Sequence, residues 1–530
     1  MSKNLRTLSA RKSLENNLFE CIKEDNHSIK DLSNEFLIGE SSITGTKSFY
    51  DFLKEDTKKA KVFVCNGTSC LTSGKQEKVK RELLKYFSDS EIGHVSCLGH
   101  CHTNAAFLYD GKSYSLDESK TVKELIKQDK SNKSYEVYNL SKNQILTAEI
   151  KNINAFYKIL DVSDSNEVIE EIKISQLRGR GGAGFPFGIK LESCKQTESE
   201  QKYIVCNADE GDPGAYSDMY LLEQNPHLVL FGMMAAGKAV GASMGVLYIR
   251  AEYPDSILNI EKIINELRKE GVIGKDFDFK VIKGAGAYVC GEETALLNSI
   301  EGLRPEVRVR PPFPAQEGLY GKPTVLSNVE TFANVHWILE NGGEAYAKIG
   351  SKQSKGTKLV SLDGFFNKPG IYEVEMGYPF SKLIEEAAGL KTEIKAMQVG
   401  GPLGGVFPIE KVSDLNLDFE SFSEQGFLLG HASVVCIPKD FPMIDFVKHL
   451  FEFTKDESCG KCYPCRLGSA RGYEMVEKVT INASKIDKEL LNDLLETMEL
   501  GSLCALGGGL PLPIKNILHY FNTELKQYFE

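Results

Sequence analysis

Cysteine spacing is the feature that most constrains the fold of this chain. Eight of its 13 cysteines fall into two local sets of four, and the other five are scattered. The two sets are Cys65, Cys70, Cys97 and Cys101, and Cys459, Cys462, Cys465 and Cys504. Thiolates are ligands for zinc and for iron–sulfur clusters. The sequence therefore predicts a fold that gathers each set around its own metal centre.

The first set combines a C-x4-C pair with a C-x3-C pair, and each pair follows a predicted strand. The C-x4-C pair in a strand–helix domain favours a 2Fe-2S cluster, although zinc, which usually takes C-x2-4-C knuckles, stays open as an alternative. His94, His100 and His102 flank these cysteines. Because four thiolates already complete the set, we expect these histidines to be loop residues or hydrogen-bond donors near the sulfurs.

The second set has the spacing C-x2-C-x2-C, with Pro464 inside the run and Cys504 as a distant fourth ligand. Three cysteines two residues apart can wrap the corners of a cubane, which predicts a 4Fe-4S cluster, with zinc again the alternative. The scattered cysteines are expected to be small buried residues. They are Cys21, Cys194, Cys206, Cys290 and Cys436.

Periodicity divides the 530 residues into an α/β multidomain protein, with domains of ordinary size. Strands alternating with helices predict a largely parallel sheet in the long central segment. The expected parts are a helical lead-in over 1–58, a small α/β domain over 59–130, an α/β domain over 145–355, a β-grasp-like module over 356–435 and a helical bundle over 436–530. A polar connection separates the small domain from the central one.

The net charge of -11 argues against nucleic acid or anionic membranes as partners, because an acidic surface repels them. No apolar run reaches the roughly 18 residues of a membrane span, and the first residues lack the apolar core of a signal peptide. The sequence predicts a cytoplasmic protein with no membrane span.

A glycine-rich stretch, LRGRGGAGFPFGIK, covers residues 177–190. Such glycines let backbone N–H groups approach an anionic or planar ligand, but the stretch is neither a dinucleotide fingerprint nor a P-loop, and a structural turn is the alternative. Two acidic turns accompany it: Asn207, Asp209, Glu210 and Asp212 follow a strand, and Glu292 and Glu293 begin a helix. Acidic residues at a helix start are often caps. Together with the glycines, however, these carboxylates suggest acceptors for ribityl and ribose hydroxyls.

The chain resembles a known protein family in the motifs that surround these glycines and carboxylates. The motifs GRGGAGFP, CNADEGDPG, YIRAEYP, GAGAYVCGEETALL, PPFPA and SCGKCYPCR occur in the order found in the NADH-binding flavoprotein subunit of respiratory complex I. The same motifs are similar to those of related subunits in NAD-linked hydrogenases and formate dehydrogenases. The resemblance covers residues 145–530 and implies a Rossmann-like FMN/NADH domain, an SLBB-type β-grasp module and a helical 4Fe-4S domain. The N-terminal domain resembles a thioredoxin-like 2Fe-2S domain.

The resemblance implies a site residue by residue. FMN would lie against Gly179, Arg180, Gly181, Lys190, Asn207, Asp209, Gly291 and Glu292, with Ser327 and Asn328 near its phosphate. The dinucleotide would be held by Phe185, Asp212, Tyr288, Glu293 and Phe313, with Phe185 stacking on the nicotinamide or the adenine. Glu293 is expected to disfavour NADPH, because a carboxylate near the ribose 2′ position repels a phosphate.

Three positions depart from the pattern of the family. Met219 stands where relatives commonly have arginine, Asp212 stands where the complex I subunit has glutamate, and the segment GHASVVC replaces a serine- and glycine-rich loop. These departures affect the predictions of the partner and of the finer dinucleotide contacts. They do not affect the predicted flavin site.

The implied reaction is direct hydride transfer from NADH to FMN, which needs no side-chain nucleophile, followed by single electrons leaving through the clusters. The 4Fe-4S centre is the expected exit, with the 2Fe-2S centre a side acceptor or second exit. Because the further ferredoxin-like cysteine runs of some relatives are missing, the path is expected to continue on another subunit. That partner could belong to a hydrogenase, a formate dehydrogenase or a complex I-like assembly. A flavin-based bifurcating subunit with ferredoxin as co-acceptor, and a flavin-free assembly subunit, are the alternatives.

Overall fold

The computed structural model describes residues 17–24, 27–116, 120–127, 135–162, 164–482 and 484–530. The first 16 residues of the predicted lead-in and residues 128–134 of the predicted connection lie outside these ranges. The predicted lead-in contains the helices Leu18–Lys23, Ile29–Phe36 and Glu40–Lys47. Their apolar faces share a buried core with Tyr248 and Leu296 of the central domain. The lead-in is therefore part of the wall of that domain.

The small N-terminal domain has a four-stranded sheet with the order β2-β1-β3-β4. The strands are β1 (Val62–Cys65), β2 (Ile92–Val95), β3 (Ala106–Tyr109) and β4 (Lys112–Ser115), and the helices are Thr68–Thr72, Gln76–Leu83 and Val122–Lys127. Strand β1 runs parallel to β2 and antiparallel to β3. The sequence AAFLYDGKSYSL predicts a hairpin around Asp110-Gly111, and the structure confirms it, since β3 pairs with β4 and both residues adopt positive φ in the turn.

The polar connection contributes a strand that the sequence did not predict. Strand β5 (Glu136–Asn139) pairs in parallel with the strand Gly370–Glu375, more than two hundred residues away. Glu373 secures the segment that follows, because its carboxylate accepts hydrogen bonds from the backbone N–H groups of Ile145, Leu146 and Thr147 at 2.9–3.0 Å. The connection therefore belongs to the sheet of the later module.

The central domain contains the predicted parallel sheet. Its strands are β6 (Tyr203–Ala208), β7 (Met244–Ile249), β8 (Asp278–Lys283) and β9 (Thr324–Asn328), in the order β8-β7-β6-β9. Helices cover the sheet, as expected for strands that are buried on both faces. They are Ile153–Val162, Ser165–Ser175, Phe187–Gln196, Ser217–Gln224, Pro226–Val240, Pro254–Lys269, Glu293–Ile300, Pro314–Glu317, Val329–Ala333, Val335–Asn341 and Gly343–Tyr346. Open sheets of this kind place ligands at the carboxyl ends of their strands.

The next module is a mixed sheet with the order β14-β13-β16-β10-β11-β5. Its strands are β10 (Thr357–Leu362), β11 (Gly370–Glu375), β13 (Ile394–Val399), β14 (Gly405–Pro408) and β16 (Ser433–Pro438). A small ribbon of β12 (Tyr378–Pro379) and β15 (Asn416–Leu417) and the helices Phe380–Glu386 and Phe419–Glu424 complete it. Strand β16 crosses the boundary predicted at residue 435, so Cys436 belongs to this sheet.

The C-terminal region is helical, as predicted. Its helices are Met443–Glu457, Tyr463–Asn482, Lys488–Gly501, Ala505–Gly509, Pro511–Tyr520 and Asn522–Leu525. Leu450, Leu495 and Ile514 lie in its core, which also receives Ala396 and Val406 from the preceding sheet. Among the described residues, no helix is both long enough and apolar enough to cross a membrane.

Candidate functional site

A cavity of about 890 Å³ lies at the carboxyl ends of β6 and β9. Its walls come from the glycine-rich turn at 179–184, the loop at 207–212, the turn at 288–293 and the end of β9. The mixed-sheet module adds Gly400 and His431, and the C-terminal helical region adds Cys504 and Leu506. Three parts of the chain therefore meet at this cavity, and it contains nearly all of the predicted cofactor residues.

The glycine-rich turn lies close against the end of β9. A Cβ atom added at Gly181 would lie 3.1 Å from the Cβ of Asn328. The turn is closed by a hydrogen bond from the Gly179 N–H to the Phe185 carbonyl at 2.9 Å and by one from Arg178 Nε to the Gly184 carbonyl at 2.7 Å. This packing leaves backbone at the cavity wall, as a cradle for a planar or anionic ligand requires.

Among the described residues, four buried polar atoms at the cavity lack hydrogen-bond partners, and two of them belong to predicted cofactor residues. Among the described residues, Asp209 Oδ2 and Asn328 Nδ2 have no hydrogen-bond partner, and both residues line the cavity. Burial raises the pKa of Asp209 well above its ordinary value. Asn207 is held by its side-chain donation to the Gly291 carbonyl at 2.8 Å. Because buried polar groups are normally paired, a free acceptor and a free donor beside a glycine cradle fit a hydroxyl-bearing cofactor such as FMN.

The acidic residues of the second turn have different partners. Glu292 caps the helix Glu293–Ile300, since its carboxylate accepts from the N–H groups of Thr294 and Ala295 at 2.9 Å. The capping alternative therefore holds for Glu292, although this residue also lines the cavity. Tyr288 donates its hydroxyl to Asp212 Oδ1 at 2.7 Å, and burial raises the pKa of Asp212.

The mouth of the cavity carries charged groups and aromatic rings. Lys190 Nζ donates to the Leu326 carbonyl at 2.8 Å and lies 3.4 Å from Glu293 Oε2. The other oxygen of Glu293 lies 2.9 Å from Arg310 Nη1. Phe185 and Phe313 are about half exposed, at 50% and 52%. Arg310 was missed by the sequence analysis, although it directly precedes the quoted PPFPA motif.

Arg180 has a different environment from the other predicted cofactor residues, and among the described residues Nε and Nη1 of its guanidinium have no hydrogen-bond partner. Its guanidinium is fully buried and donates to Tyr346 Oη at 3.1 Å and to the Lys355 carbonyl. Its backbone N–H donates to Thr331 Oγ1 at 2.9 Å. Arg180 is not among the residues that line the cavity. It secures the glycine-rich turn from behind, a role that the motif does not distinguish from ligand contact.

The first cysteine set is gathered between the N-terminal domain and the loop that follows β6. All four thiols are buried, and Cys97 Sγ lies 3.6 Å from Cys101 Sγ. Backbone N–H groups donate to sulfur from Gly99 to Cys97 at 3.4 Å and from Gly214 to Cys101 at 3.2 Å. Such N–H donors to sulfur tune iron–sulfur centres, so this geometry fits a 2Fe-2S cluster.

The nearby histidines occupy structural positions. His100 Nε2 lies 3.1 Å from Ser113 Oγ, and its ring stacks on that of His102. His94 stands in β2, where burial lowers its pKa. These contacts agree with the interpretation of His100 and His102 as loop residues. His94, in contrast, is a strand residue.

Three cysteines of the second set lie at helix N-termini, and Cys459 follows the C-terminal end of the helix Met443–Glu457. Cys462 and Cys465 stand at the start of the helix Tyr463–Asn482, and Cys504 is the N-cap of the helix Ala505–Gly509. The positive ends of helices favour thiolates, which supports a metal centre here. Of the scattered cysteines, Cys194, Cys206, Cys290 and Cys436 are buried and Cys21 is partly buried.

The structure also places a buried triad at the cavity that the sequence did not indicate. Glu210, Asp218 and His431 approach one another within 4.8 Å. Asp218 and His431 are separated by 213 positions in the chain, so no local spacing could have connected them. The only signal was the departure of the segment GHASVVC from the family pattern.

Two family descriptions match the chain. Residues 172–337 match the Nuo51 FMN-binding domain, and residues 445–528 match the NADH-ubiquinone oxidoreductase-F iron–sulfur binding region. The first range contains the cradle, and the second contains Cys459, Cys462, Cys465 and Cys504. The matches support FMN and a 4Fe-4S cluster in these two regions.

Several curated relatives are similar over much of the chain. The NADP-reducing hydrogenase subunit HndC of Solidesulfovibrio fructosivorans is 42% identical over 384 residues, covering 70% of this chain and 78% of that protein. The alpha subunit of the NAD-reducing hydrogenase HoxS of Cupriavidus necator is 34% identical over 523 residues, covering 90% and 85%. The mitochondrial NADH dehydrogenase [ubiquinone] flavoprotein 1 of Dictyostelium discoideum is 37% identical over 387 residues, covering 70% and 81%.

A solved structure resembles nearly the whole chain. It is a chain of an NAD+-reducing NiFe hydrogenase in the air-oxidised state, with a TM-score of 0.88 and 28% identity, covering 99% of this chain and 94% of that one. The cradle, the second cysteine set and these matches agree with one another. This chain belongs to the family of NADH-binding FMN and 4Fe-4S flavoproteins of respiratory complex I and NAD-reducing hydrogenases.

Proposed function

We propose that the chain oxidises NADH at this cavity and sends the electrons singly through its 4Fe-4S centre to a partner redox subunit. One observation carries the proposal: Cys504, a ligand in the second cysteine set, lines the same cavity as Asn207, Asp209 and the glycine cradle. A cofactor in the cradle is therefore adjacent to a cluster ligand. Bound FMN supplies the conversion between a two-electron hydride and single electrons.

The cradle residues hold and orient FMN in this proposal. Asp209 Oδ2 would pair with a ribityl hydroxyl and Asn328 Nδ2 would donate to an oxygen of the ligand, which would satisfy both unpaired atoms. The glycine backbone and Lys190 complete the cradle, with Gly291 and Ser327 at its edge. Arg180 is omitted, because its side chain lies elsewhere.

The dinucleotide enters at the mouth of the cavity. Phe185 and Phe313 offer half-exposed rings on which the nicotinamide and adenine planes stack. Glu293 accepts from ribose hydroxyls, and its negative charge disfavours a 2′-phosphate. Tyr288 and Asp212 form the inner wall through their hydrogen bond. Since hydride passes directly from the nicotinamide, no side chain acts as a nucleophile.

The first cysteine set holds a 2Fe-2S cluster in this proposal. Four buried thiols and two N–H donors to sulfur support it. The centre is a side acceptor or second exit for electrons from the cavity, since the loop at 207–214 contacts both places.

The partner is a hydrogenase. The HoxS alpha subunit and the hydrogenase structure match 90% or more of this chain, whereas the hydrogenase subunit HndC and the mitochondrial flavoprotein 1 of Dictyostelium discoideum each match 70%. The N-terminal domain, which lies outside the two family matches, is thus shared with these hydrogenase relatives.

The test uses the full-length protein, purified anaerobically. We expect bound FMN, iron and sulfide for both clusters, bleaching of the flavin absorbance by NADH, and reduced-cluster signals by electron paramagnetic resonance. Iron-free protein containing stoichiometric zinc would contradict the cluster assignments. Protein that stays colourless after FMN is added back, and does not respond to NADH, would favour a flavin-free assembly subunit instead.

A matched pair of variants tests the exit. Cys504→Ala is expected to retain FMN and its bleaching by NADH but to lose the 4Fe-4S signal. Cys436→Ala removes a thiol that is buried in the mixed sheet, away from the cavity, and is expected to keep both signals. An unchanged 4Fe-4S signal in Cys504→Ala would remove Cys504 from the ligand set. Co-purification with hydrogenase subunits tests the partner.

A further inference from the structure

His431 is a buried histidine at the wall of the cavity. Its side chain is 6% exposed, and the residue lines the same cavity as Asp209 and Asn328. It stands in a tight turn in which the Ala432 N–H donates to the Leu429 carbonyl at 2.9 Å. Ala432 adopts a φ of 59°, in the left-handed region that residues with a Cβ atom rarely occupy. A strained backbone of this kind next to a ligand cavity indicates that the position of His431 is functionally constrained.

Carboxylates surround the imidazole. Nδ1 lies 3.6 Å from Glu210 Oε1, and Nε2 lies 3.5 Å from Asp218 Oδ2. Burial raises the pKa of Asp212, and the charge of His431 offsets part of that rise; Lys358 is the nearby cation that opposes protonation of His431. Burial disfavours the charged imidazole, but Asp218 and Glu210 outweigh burial and raise the pKa of His431 to about 9. The ring is therefore an imidazolium at neutral pH.

A bound metal ion is the other interpretation of this triad, and the hydrogen bonds of Glu210 argue against it. Oε1 accepts from the Asp218 N–H at 3.0 Å and from Ser217 Oγ at 3.2 Å. Oε2 accepts from the Met219 N–H and from Tyr253 Oη, both at 3.1 Å. These four donors occupy the lone pairs of the carboxylate. A metal would have to displace them, whereas an imidazolium needs only the negative charge.

We propose that His431 is a charge-compensating residue of the flavin cavity, whose imidazolium offsets the negative charge that each hydride brings. The inference rests on the proposed function, since it requires FMN in this cavity. A hydride carries two electrons and one proton, so its transfer adds one negative charge to the acceptor. In a site that already contains Asp209, Glu210, Asp212 and Asp218, a fixed cation stabilises the reduced cofactor relative to the oxidised one.

The test is the midpoint potential of bound FMN, measured by spectroscopic redox titration of the full-length protein. His431→Gln is expected to weaken the binding of reduced relative to oxidised FMN about tenfold, which is a shift of about 30 mV to more negative potential for a two-electron couple. His431→Lys restores a cation and is expected to keep the wild-type potential.

His336→Gln is the matched control. His336 is also buried, but it stacks on Phe156 outside the cavity, and burial lowers its pKa to about 4, so it carries no charge at neutral pH. We expect no change of potential in this variant. Equal potentials in His431→Gln and His336→Gln would overturn the proposal. So would a shift of the same size in His431→Lys as in His431→Gln.

The pH dependence gives a second measurement. In the wild type, the potential plotted against pH is expected to bend near 9, where His431 loses its proton, and this bend is expected to be absent from His431→Gln. Asp218→Asn is expected to move the bend to lower pH.

If His431→Gln does not fold, the potentials of His431→Lys and Asp218→Asn decide the question. A bend that does not move in Asp218→Asn overturns the proposal. A stoichiometric metal that disappears in Asp218→Asn would also overturn it. Wild-type protein without FMN would contradict the proposed function instead.

Discussion

Asp209 illustrates how a single buried atom can define a ligand site. The loop after β6 buries its Oδ2 atom, which has no hydrogen-bond partner among the described residues. An unpaired buried acceptor is costly, so folding alone gives no reason to keep it. A ligand hydroxyl that pairs with Oδ2 removes this cost on binding.

This pairing predicts the effect of Asp209→Ala on FMN. We expect the Kd for FMN to rise about 10- to 100-fold, since one buried hydrogen bond of this kind contributes about 1–3 kcal/mol. Fluorescence titration of the deflavinated protein measures it. Asp363→Ala is the control, because the carboxylate of Asp363 is buried too but accepts from the backbone N–H groups of Phe365 and Cys436 in the mixed sheet. A loss of FMN affinity in the control as large as in Asp209→Ala would contradict this role of Asp209.

Glu293 and Arg310 predict the dinucleotide preference. Glu293→Gln removes the charge that opposes a 2′-phosphate and releases Arg310 from its 2.9 Å ion pair. We expect the ratio of kcat/KM for NADPH to that for NADH to rise about tenfold, equivalent to about 1.4 kcal/mol. Adding Arg310→Gln should reverse most of the gain, because the guanidinium is then unavailable to the phosphate. An unchanged ratio in Glu293→Gln would remove Glu293 from the specificity determinants.

At the residue level, motifs predicted which positions surround the cavity better than they predicted side-chain directions. Most of the residues carried over by resemblance line it, whereas Arg180 points into the protein. The glycine-rich motif fixes the backbone of the turn, but the direction of Arg180 depends on Tyr346 and Lys355, which lie far along the chain. His431 was missed for the same reason, since its partners are distant in sequence.

At the level of elements, β5 shows what periodicity cannot predict. Its sequence, EVYN, is short and polar, and its partner strand follows more than two hundred residues later. Parallel pairing of this kind depends on tertiary contacts rather than on local propensity. The hairpin at Asp110-Gly111 was predictable, because its turn and both strands lie within a few residues.

The hydrogen bonds of Glu373 allow a prediction of how much this residue contributes to the free energy of unfolding. Glu373→Ala leaves the N–H groups of Ile145, Leu146 and Thr147 without their acceptor, so we expect the free energy of unfolding to fall by about 3 kcal/mol or more. Urea unfolding followed by circular dichroism measures it. Glu375→Ala is the control, since among the described residues Glu375 accepts from the backbone only at Lys142, at 3.3 Å. The control is expected to lose less than about 1 kcal/mol. Equal losses would contradict a special role of Glu373.

At the level of the whole molecule, the loop at 207–214 connects two centres. Its first residues line the cavity, and its last one, Gly214, donates to the sulfur of Cys101. The domains could be predicted one by one from the sequence. Their convergence could not, because it rests on contacts between residues as distant as Gly181, His431 and Cys504.

Gly214→Ala tests this connection. Gly214 has a φ of 102°, and a Cβ atom there would lie 2.7 Å from Val435 Cγ2, so the substitution displaces the N–H from Cys101. Since N–H donors to sulfur stabilise the reduced cluster, we expect the 2Fe-2S potential to become more negative, by about 30–60 mV, while the 4Fe-4S signal is unchanged. Redox titration followed by electron paramagnetic resonance measures both.

Gly241→Ala is the matched control for that substitution. Gly241 also has a positive φ, of 76°, but a Cβ atom there would meet nothing within 4 Å. Its backbone strain is therefore similar, without a contact to the cysteines. Identical 2Fe-2S potentials in Gly214→Ala and in the wild type would show that this hydrogen bond has no influence on the cluster.

The wall that contains Cys504 has a consequence for biosynthesis. A ribosome makes the cradle at 179–184 and the end of β9 well before it reaches Cys504, and at ordinary elongation speeds the delay after β9 is roughly 9 to 35 s. During that interval the cavity of the nascent chain lacks the wall that the C-terminal helices provide. A cofactor that arrives early is enclosed only when the later helices dock, so the order of translation gives FMN a wider entrance than the finished protein offers.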